Sequence, residues 1–379
     1  MLHDHFRHDS SFGNDKRSLF LAILLPDLRG GGVERIRIVL AHEFARQGHR
    51  VEFLLMQARG ELLTEAQAAF SVVDLNCPRA RNLPRVLSRY LRQHRPDALL
   101  AAMWPLTVIA PLMRLSGYRG RIVVSEHNTL SVQYGHWGRF HRVALRSSMS
   151  MSYRLAHARV GVSCGVSDDI AALSGLPRHM FEVVHNPVPP RPMPDAQYLQ
   201  NVDTLWAAPR GARILTVGSM KAQKNHPLLL RAFAQMGRPD ARLMFLGTGA
   251  GEADLRALAG ELGMASQVIF AGFHPDPTPF YQTADLFVLS SDYEGFGNVI
   301  VEALACGTPV VSTDCPSGPA EILENGKYGR LVPVRDAQAL ADAMRQALAA
   351  PHDPAVLKQR ASDFAPAIAA KRYLELLCP

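Results

Sequence analysis

Long apolar runs, paired cysteines and clustered metal-type acids are scarce in this 379-residue chain. The best candidate for a membrane span, Ala98–Met113, has 16 residues and is interrupted by Pro105 and Pro111. A bilayer core needs about 20 apolar residues, so a buried strand followed by a helix suits this stretch better. The run "SLFLAILLP" near the start follows residues of mixed charge and leads directly into glycines, which argues against a signal peptide. The five cysteines (77, 164, 306, 315 and 378) are scattered and include no Cys-x-x-Cys pair. That excludes a disulfide framework or a zinc site of that type and points to a reducing compartment. The Walker A pattern is missing too. Acids are absent from His127 to Ser167.

What is present is globular: 47% hydrophobic and 20% charged residues, with length enough for two domains. The charge is uneven. Residues 1–188 carry 24 Lys/Arg against 15 Asp/Glu, so an anionic partner is expected to meet this half. Strand-like runs alternate with amphipathic ones. Leu19–Leu25, the glycine loop Gly30–Gly32, a helical pattern through Ile36, Leu40 and Phe44, and Arg50–Met56 make a βαβ unit. Further strands are expected at Ala98–Ala102, Arg121–Ser125 and Val160–Ser163. Five prolines in His185–Asp195 mark a connection, and a second alternating series follows it. The fold class is therefore α/β, with two doubly wound Rossmann-like domains facing across a cleft. In such sheets ligands sit beyond the carboxyl ends of the strands.

The loops after those strands hold the chemistry. "GSMKAQKNH" places Gly218, Ser219, Lys221 and Lys224 ahead of a helix. Free amides and a cation there suit a phosphate; a solvated turn with surface lysines fits the same residues. "DYEGFGNVIVEALACG" carries Glu294 at a turn and Glu302 inside an apolar helix. Ionised Glu302 accepts hydrogen bonds and donates none, so a ribose diol or nearby backbone donors would satisfy it. No histidine stands at ligand spacing from either acid, and no metal is expected.

Two basic segments lie in the first half. Arg81, Arg85, Arg89 and Arg92 are spaced to share a helix face. Further on, Trp137, Arg139, Phe140, Arg142 and Arg146 mix aromatics with cations. These patterns fit an anionic membrane surface, nucleic acid or a solvated face.

With Glu294-Gly-Phe-Gly-Asn-Val-Ile-Val-Glu302 set in "AGFHPDPTPFYQTADLFVLSSDYEGFGNVIVEALACGTPVVSTDCPSGPAEIL", the second half resembles the retaining GT-B glycosyltransferases of family 4. "GGVERI", "SEHN" and "VSCGVSDDI…VVHNPV" extend the resemblance into the first half. It implies transfer of a sugar from a nucleoside-diphosphate sugar with retention, without a metal or other cofactor. Glu302 would bind the ribose, Glu294 the transferred sugar and Lys224 the diphosphate. Gly32 would admit the first-domain loop to the phosphates, and His127 would sit near sugar and acceptor. Phe273 and His274 would meet the base, and Phe296, Gly297 and Asn298 the sugar and phosphates. Where the family often has arginine at the diphosphate this chain has Ser219, with Lys221 as a substitute lacking the guanidinium fork. "DCPSGPAEIL" resembles bacterial lipopolysaccharide, capsule and lipid-linked oligosaccharide enzymes.

The resemblance implies a glycan or lipid-linked acceptor and a cytoplasmic enzyme held peripherally on the inner membrane through the two basic segments. Its expected parts are a disordered extension (1–17), an acceptor-side domain (18–188), a Pro-rich linker (189–210), a nucleotide-sugar domain (211–355) and a C-terminal helix (356–379) returning to the first domain. The rival functions are a nucleotide-sugar epimerase or phosphorylase on a similar fold, and a non-catalytic nucleic-acid-binding protein.

Overall fold

The computed structural model describes residues 18–191, 194–207 and 211–378. The expected extension 1–17 lies outside the described residues, as do parts of the expected linker.

The first domain contains β1 (Phe20–Leu25), α1 (Gly32–Arg46), β2 (Arg50–Leu55), α2 (Leu63–Ala69), β3 (Ser71–Asp74), α3 (Leu83–His94), β4 (Ala98–Ala102), α4 (Leu106–Leu112), β5 (Arg121–Glu126), α5 (Leu130–Gln133), α6 (Arg139–Ser152), β6 (Ala158–Gly161), α7 (Cys164–Ser174) and β7 (Glu182–Val183). After α8 (Ala196–Leu205) the second domain runs β8 (Arg213–Val217), α9 (His226–Gln235), β9 (Arg242–Leu246), α10 (Glu252–Glu261), β10 (Val268–Gly272), α11 (Thr278–Thr283), β11 (Leu286–Leu289), α12 (Asn298–Cys306), β12 (Val310–Thr313), α13 (Pro319–Ile322), β13 (Arg330–Val332), α14 (Ala337–Ala349), α15 (Pro354–Ser362) and α16 (Pro366–Leu377).

The strand orders are β3-β2-β1-β4-β5-β6-β7 and β10-β9-β8-β11-β12-β13, and the strand pairs are parallel. Each sheet is covered on both faces, which explains its unbroken apolar strands. In β1, Leu21, Ile23 and Leu25 enter one core while Ala22 and Leu24 enter the other. The strand order reverses beside β1 and beside β8, and the loops after β1, β8 and β11 open at these reversals.

Four expectations need correction. The Pro-rich segment is not all linker: α8 forms within it, capped by Asp195, and Val202 and Trp206 bury in the second-domain core. The C-terminal stretch is two helices rather than one. Leu357 and Ala361 of α15 join the second-domain core, and only α16 returns to the first domain, where Tyr373, Leu374 and Leu377 pack with the core under α1. Arg81 lies in a 3-10 turn, Ala80–Asn82, before α3, so it does not share the helix face of Arg85, Arg89 and Arg92. The strand expected at Val160–Ser163 is also shifted to Ala158–Gly161, because Ser163 instead caps α7 with its side chain.

Candidate active site

Two loops of the second domain are stapled together. β8 ends at Val217, and the chain turns from Gly218 through Lys224 to Asn225, whose side chain accepts from the Leu228 amide to start α9. β11 ends at Leu289, and Ser290 donates to the Lys224 carbonyl at 2.8 Å. Lys224 Nζ then meets Glu294 Oε1 at 2.7 Å, and Ser291 Oγ donates to the same oxygen at 2.6 Å. Glu294 is buried, so the lysine charge stabilises a carboxylate that would otherwise be costly there. Ser219 is half-buried beside this loop and Lys221 is exposed. The Lys221 charge reaches Glu34 in the first domain, whose carboxyl burial pushes upward.

Glu302 sits in the second turn of α12, and Tyr281 donates to its Oε2 at 3.0 Å. Burial raises the Glu302 carboxyl above its usual range, opposed by Arg191, by the tyrosine and by Arg35. Arg191 is anchored at 3.1 Å on Asp276, in the loop that follows β10. In that loop Phe273 is 59% exposed, free to stack on a planar ligand, while His274 packs on Phe280. Phe296 by contrast is buried against His185 and Phe364 and offers only its backbone. Gly297, at φ +100°, turns the chain into α12 and leaves the first amides of that helix open to an anion.

The first domain closes on this loop. Thr129 Oγ1 donates to the Glu294 carbonyl at 3.2 Å, and Ser163 Oγ donates to the Gly295 carbonyl at 2.7 Å. A Cβ on Gly295 would lie 1.9 Å from the His127 carbonyl, so only glycine permits this approach. Asn186 Nδ2 donates to Asn298 Oδ1 at 3.0 Å, and Gly32 stands opposite Asn298. His127, just past β5, has Nε2 at 2.8 Å from Arg37 Nη2 and 3.0 Å from Ser125 Oγ. Burial, then the Arg37 charge, hold its pKa well below the usual value. Among the described residues no three His, Cys, Asp or Glu side chains gather as metal ligands would.

The expected nucleotide-sugar residues thus converge on one cleft. The basic segments do not. Arg85, Arg89 and Arg92 are exposed on α3, and no hydrogen bond or ion pair among the described residues ties them to the cleft. Arg139, Arg142 and Arg146 line, with Leu130, Tyr134 and Val143, a separate cavity of about 610 Å³. Phe140 is 81% exposed, whereas Trp137 packs on Trp104 and Tyr134. Sequence reasoning missed Arg37, Asn186, Arg191, Tyr281 and Ser291. Arg191 was hidden by its prolines. Asn186 lies within the quoted "VVHNPV", and Tyr281 and Ser291 lie within the quoted second-half stretch, so their place in the resembling segments was the available signal for those three.

Two parallel sheets meeting at their reversal points, with paired glutamates and a lysine on one wall, define the GT-B class. Residues 207–364 match the family described as "Glycosyl transferases group 1", and residues 30–191 match "Glycosyltransferase Family 4". The chain belongs to the GT-B glycosyltransferases of family 4. It is 30% identical over 240 residues to the N-acetylgalactosamine-N,N'-diacetylbacillosaminyl-diphospho-undecaprenol 4-alpha-N-acetylgalactosaminyltransferase of Campylobacter jejuni, covering 63% of this chain and 64% of that protein. It is 38% identical to the lipopolysaccharide core biosynthesis glycosyltransferase LpsE of Rhizobium meliloti, over 36% of this chain and 39% of that one. The chain therefore spans less than two thirds of the length of these relatives. The crystal structure of Anabaena HepE in complex with UDP shares the fold, with a TM-score of 0.80 at 22% identity, covering 94% of this chain and 99% of that one.

Proposed function

We propose that this protein transfers a sugar from a nucleoside-diphosphate sugar to a lipid-linked or polysaccharide acceptor, with retention, in bacterial surface-glycan synthesis. The observation that carries this reading is the second-domain wall, where Lys224–Glu294 and Glu302–Tyr281 flank the open start of α12. Glu302 accepts from the ribose hydroxyls. Phe273 covers the base. An ammonium has three donors, so Lys224 keeps two for phosphate oxygens after bonding Glu294. With the first amides of α12 it stabilises the charge that develops on the leaving diphosphate. The bond from the anomeric carbon to the β-phosphate oxygen breaks, the acceptor oxygen bonds that carbon on the same face, and the acceptor proton passes to the departing phosphate. Glu294 orients the sugar hydroxyls. This route assigns no step to a metal.

Both matched families are glycosyltransferase families, which lends no support to the epimerase, phosphorylase or nucleic-acid readings. Thermal shifts with UDP-, GDP- and ADP-sugars, followed by transfer of label from the stabilising sugar to a lipid-linked acceptor, test the reading. Isomerised or phosphorolysed sugar without transfer would overturn it.

The membrane is the proposed second partner. Among the described residues no helix is long and apolar enough to cross a bilayer. On α6, however, Phe140, Val143 and Met151 are exposed together with Arg139, Arg142 and Arg146. Apolar side chains among cations on one helix suit the surface of an anionic bilayer. The protein is expected to float with anionic liposomes at low salt. No binding there would remove the membrane from the reading.

A further inference from the structure

Arg37 is an arginine with no carboxylate partner among the described residues. It is fully buried on α1, and its Nε and Nη1 have no hydrogen-bond partner. Its remaining nitrogen, Nη2, contacts Ser125 Oγ and His127 Nε2. Tyr373 of α16 covers the guanidinium, with the ring centroid 5.1 Å from Cζ. A guanidinium donates and never accepts, and it stays protonated. Burying one without a counter-charge costs stability, and packed apolar residues in its place are often neutral or better. The arginine is therefore poorly explained as a structural brace.

Its geometry fixes the proton of the imidazole. Because Nη2 can only donate, Nε2 must present its lone pair, and the single proton of the neutral ring lies on Nδ1. Nδ1 is buried and meets no hydrogen-bond partner of good geometry among the described residues. Asn186 lies beside the ring and joins Asn298 across the cleft.

We propose that Arg37 is the positioning residue that locks His127 as a neutral Nδ1–H hydrogen-bond donor in the cleft. In this state the ring has no free lone pair, so His127 presents a donor to an oxygen of the sugar or acceptor and does not serve as the base that takes the acceptor proton. The role in transfer rests on the sugar-transfer reading above; the tautomer itself does not.

The groups around the ring are few. Arg37 comes from α1, Ser125 precedes the ring on β5, and Asn186 comes from the crossover. Glu126 is engaged elsewhere, by Thr107 and Tyr153, and Glu294 is held by Lys224. Burial and then the Arg37 charge disfavour the imidazolium and outweigh the Asn186 side chain, which favours it, in agreement with a ring that stays neutral.

Nitrogen-15 NMR of histidine-labelled protein, with His127→Gln used to assign the signal, reads the tautomer directly. The wild type is expected to show the neutral Nδ1–H pattern at and above neutral pH. In Arg37→Met the second tautomer appears and the titration midpoint of the ring moves up toward about 6.5. Ser125→Ala keeps the wild-type pattern. An Nε2–H tautomer or an imidazolium at neutral pH in the wild type overturns the proposal. So does an unchanged spectrum in Arg37→Met, or a tautomer lost in Ser125→Ala but kept in Arg37→Met.

Thermal denaturation separates this role from a structural one. Arg37→Met is expected to melt no lower than the wild type while kcat falls by about 10- to 100-fold, the range known for metal-ligating imidazoles that lose the partner orienting them. Its kcat profile gains an acidic limb that the wild type lacks. A lower Tm with an unchanged pH profile would assign Arg37 to structure alone. If the wild type transfers no sugar, the sugar-transfer reading fails, and the spectra still decide the tautomer.

Discussion

In the second domain, the two cleft glutamates each meet a donor: Lys224 at 2.7 Å for Glu294 and Tyr281 at 3.0 Å for Glu302. In the first domain, Arg37 of α1 is buried with two nitrogens unpartnered among the described residues, and His127 lies against it. Glu126, the neighbour of that histidine, is buried on three neutral donors, Thr107, Tyr153 and the Trp104 amide. The second domain thus gives one cleft acid a cation and the other a tyrosine, while the first holds its charged groups among neutral partners. The difference matches a division of labour. A wall that binds an anionic nucleotide needs its acids ionised and its lysine fixed. A wall that meets hydroxyls needs neutral donors of defined direction.

Removing the lysine is the most severe way to break the contrast. Lys224→Ala takes away the cation proposed to meet the diphosphate and strands Glu294. Transfer is expected to fall about 100- to 1,000-fold, as for loss of one preorganised electrostatic donor. Unfolding in urea should register about 3 kcal/mol of lost stability. A rate within a few-fold of wild type would mean that the ion pair is only a structural staple.

Glu302→Ala tests the other paired acid. A nucleoside diphosphate is expected to bind about 10- to 100-fold more weakly by calorimetry, the worth of hydrogen bonds to a charged acceptor. The wild-type affinity carries a sign as well. Because burial raises the Glu302 carboxyl, acidification protonates it earlier than an ordinary glutamate, and affinity should decline from above the usual carboxylate range downward. An affinity indifferent to both changes would remove the ribose from Glu302.

The remaining test belongs to the first domain and is read in stability alone. Burial pushes the Glu126 carboxyl from 4.5 up to about 7. Between those values the folded protein holds a proton that the unfolded chain has released. This contribution to stability is complete below the lower value and is lost as pH rises through the upper one, at no more than about 1.4 kcal/mol per pH unit. The difference in urea midpoint between wild type and Glu126→Gln, measured at pH 5 and pH 8, should change in that direction. A difference that is flat with pH would mean the acid is ionised in the fold and closer in kind to the second-domain pair.

How much of this was legible depended on the domain. The strands of the second domain, its helix beginning at Asn298 and the placing of Lys224, Glu294 and Glu302 follow from runs, turns and spacing within about 80 residues. The partners were less visible. Tyr281 stands 21 residues from Glu302, and Arg191 lies inside a proline-rich stretch that reads as linker. In the first domain the site draws on α1, β5, the crossover and α16, so no local pattern announces it. Arg37 reads as one more polar position on an amphipathic helix.

The sequence by itself determined the two parallel α/β units, their order, the loops that carry ligand-binding groups and the excess of positive charge in the first half. These depend on short-range periodicity and composition, which are printed in consecutive residues. Only the tertiary structure decided that α15 stays with the second domain while α16 crosses back, that Glu294 is paired with Lys224, and that Arg37 holds His127. Each of those depends on burial shared between segments distant along the chain, and in the two side-chain pairs a carboxylate or guanidinium must take whatever partner the packed chain brings to it.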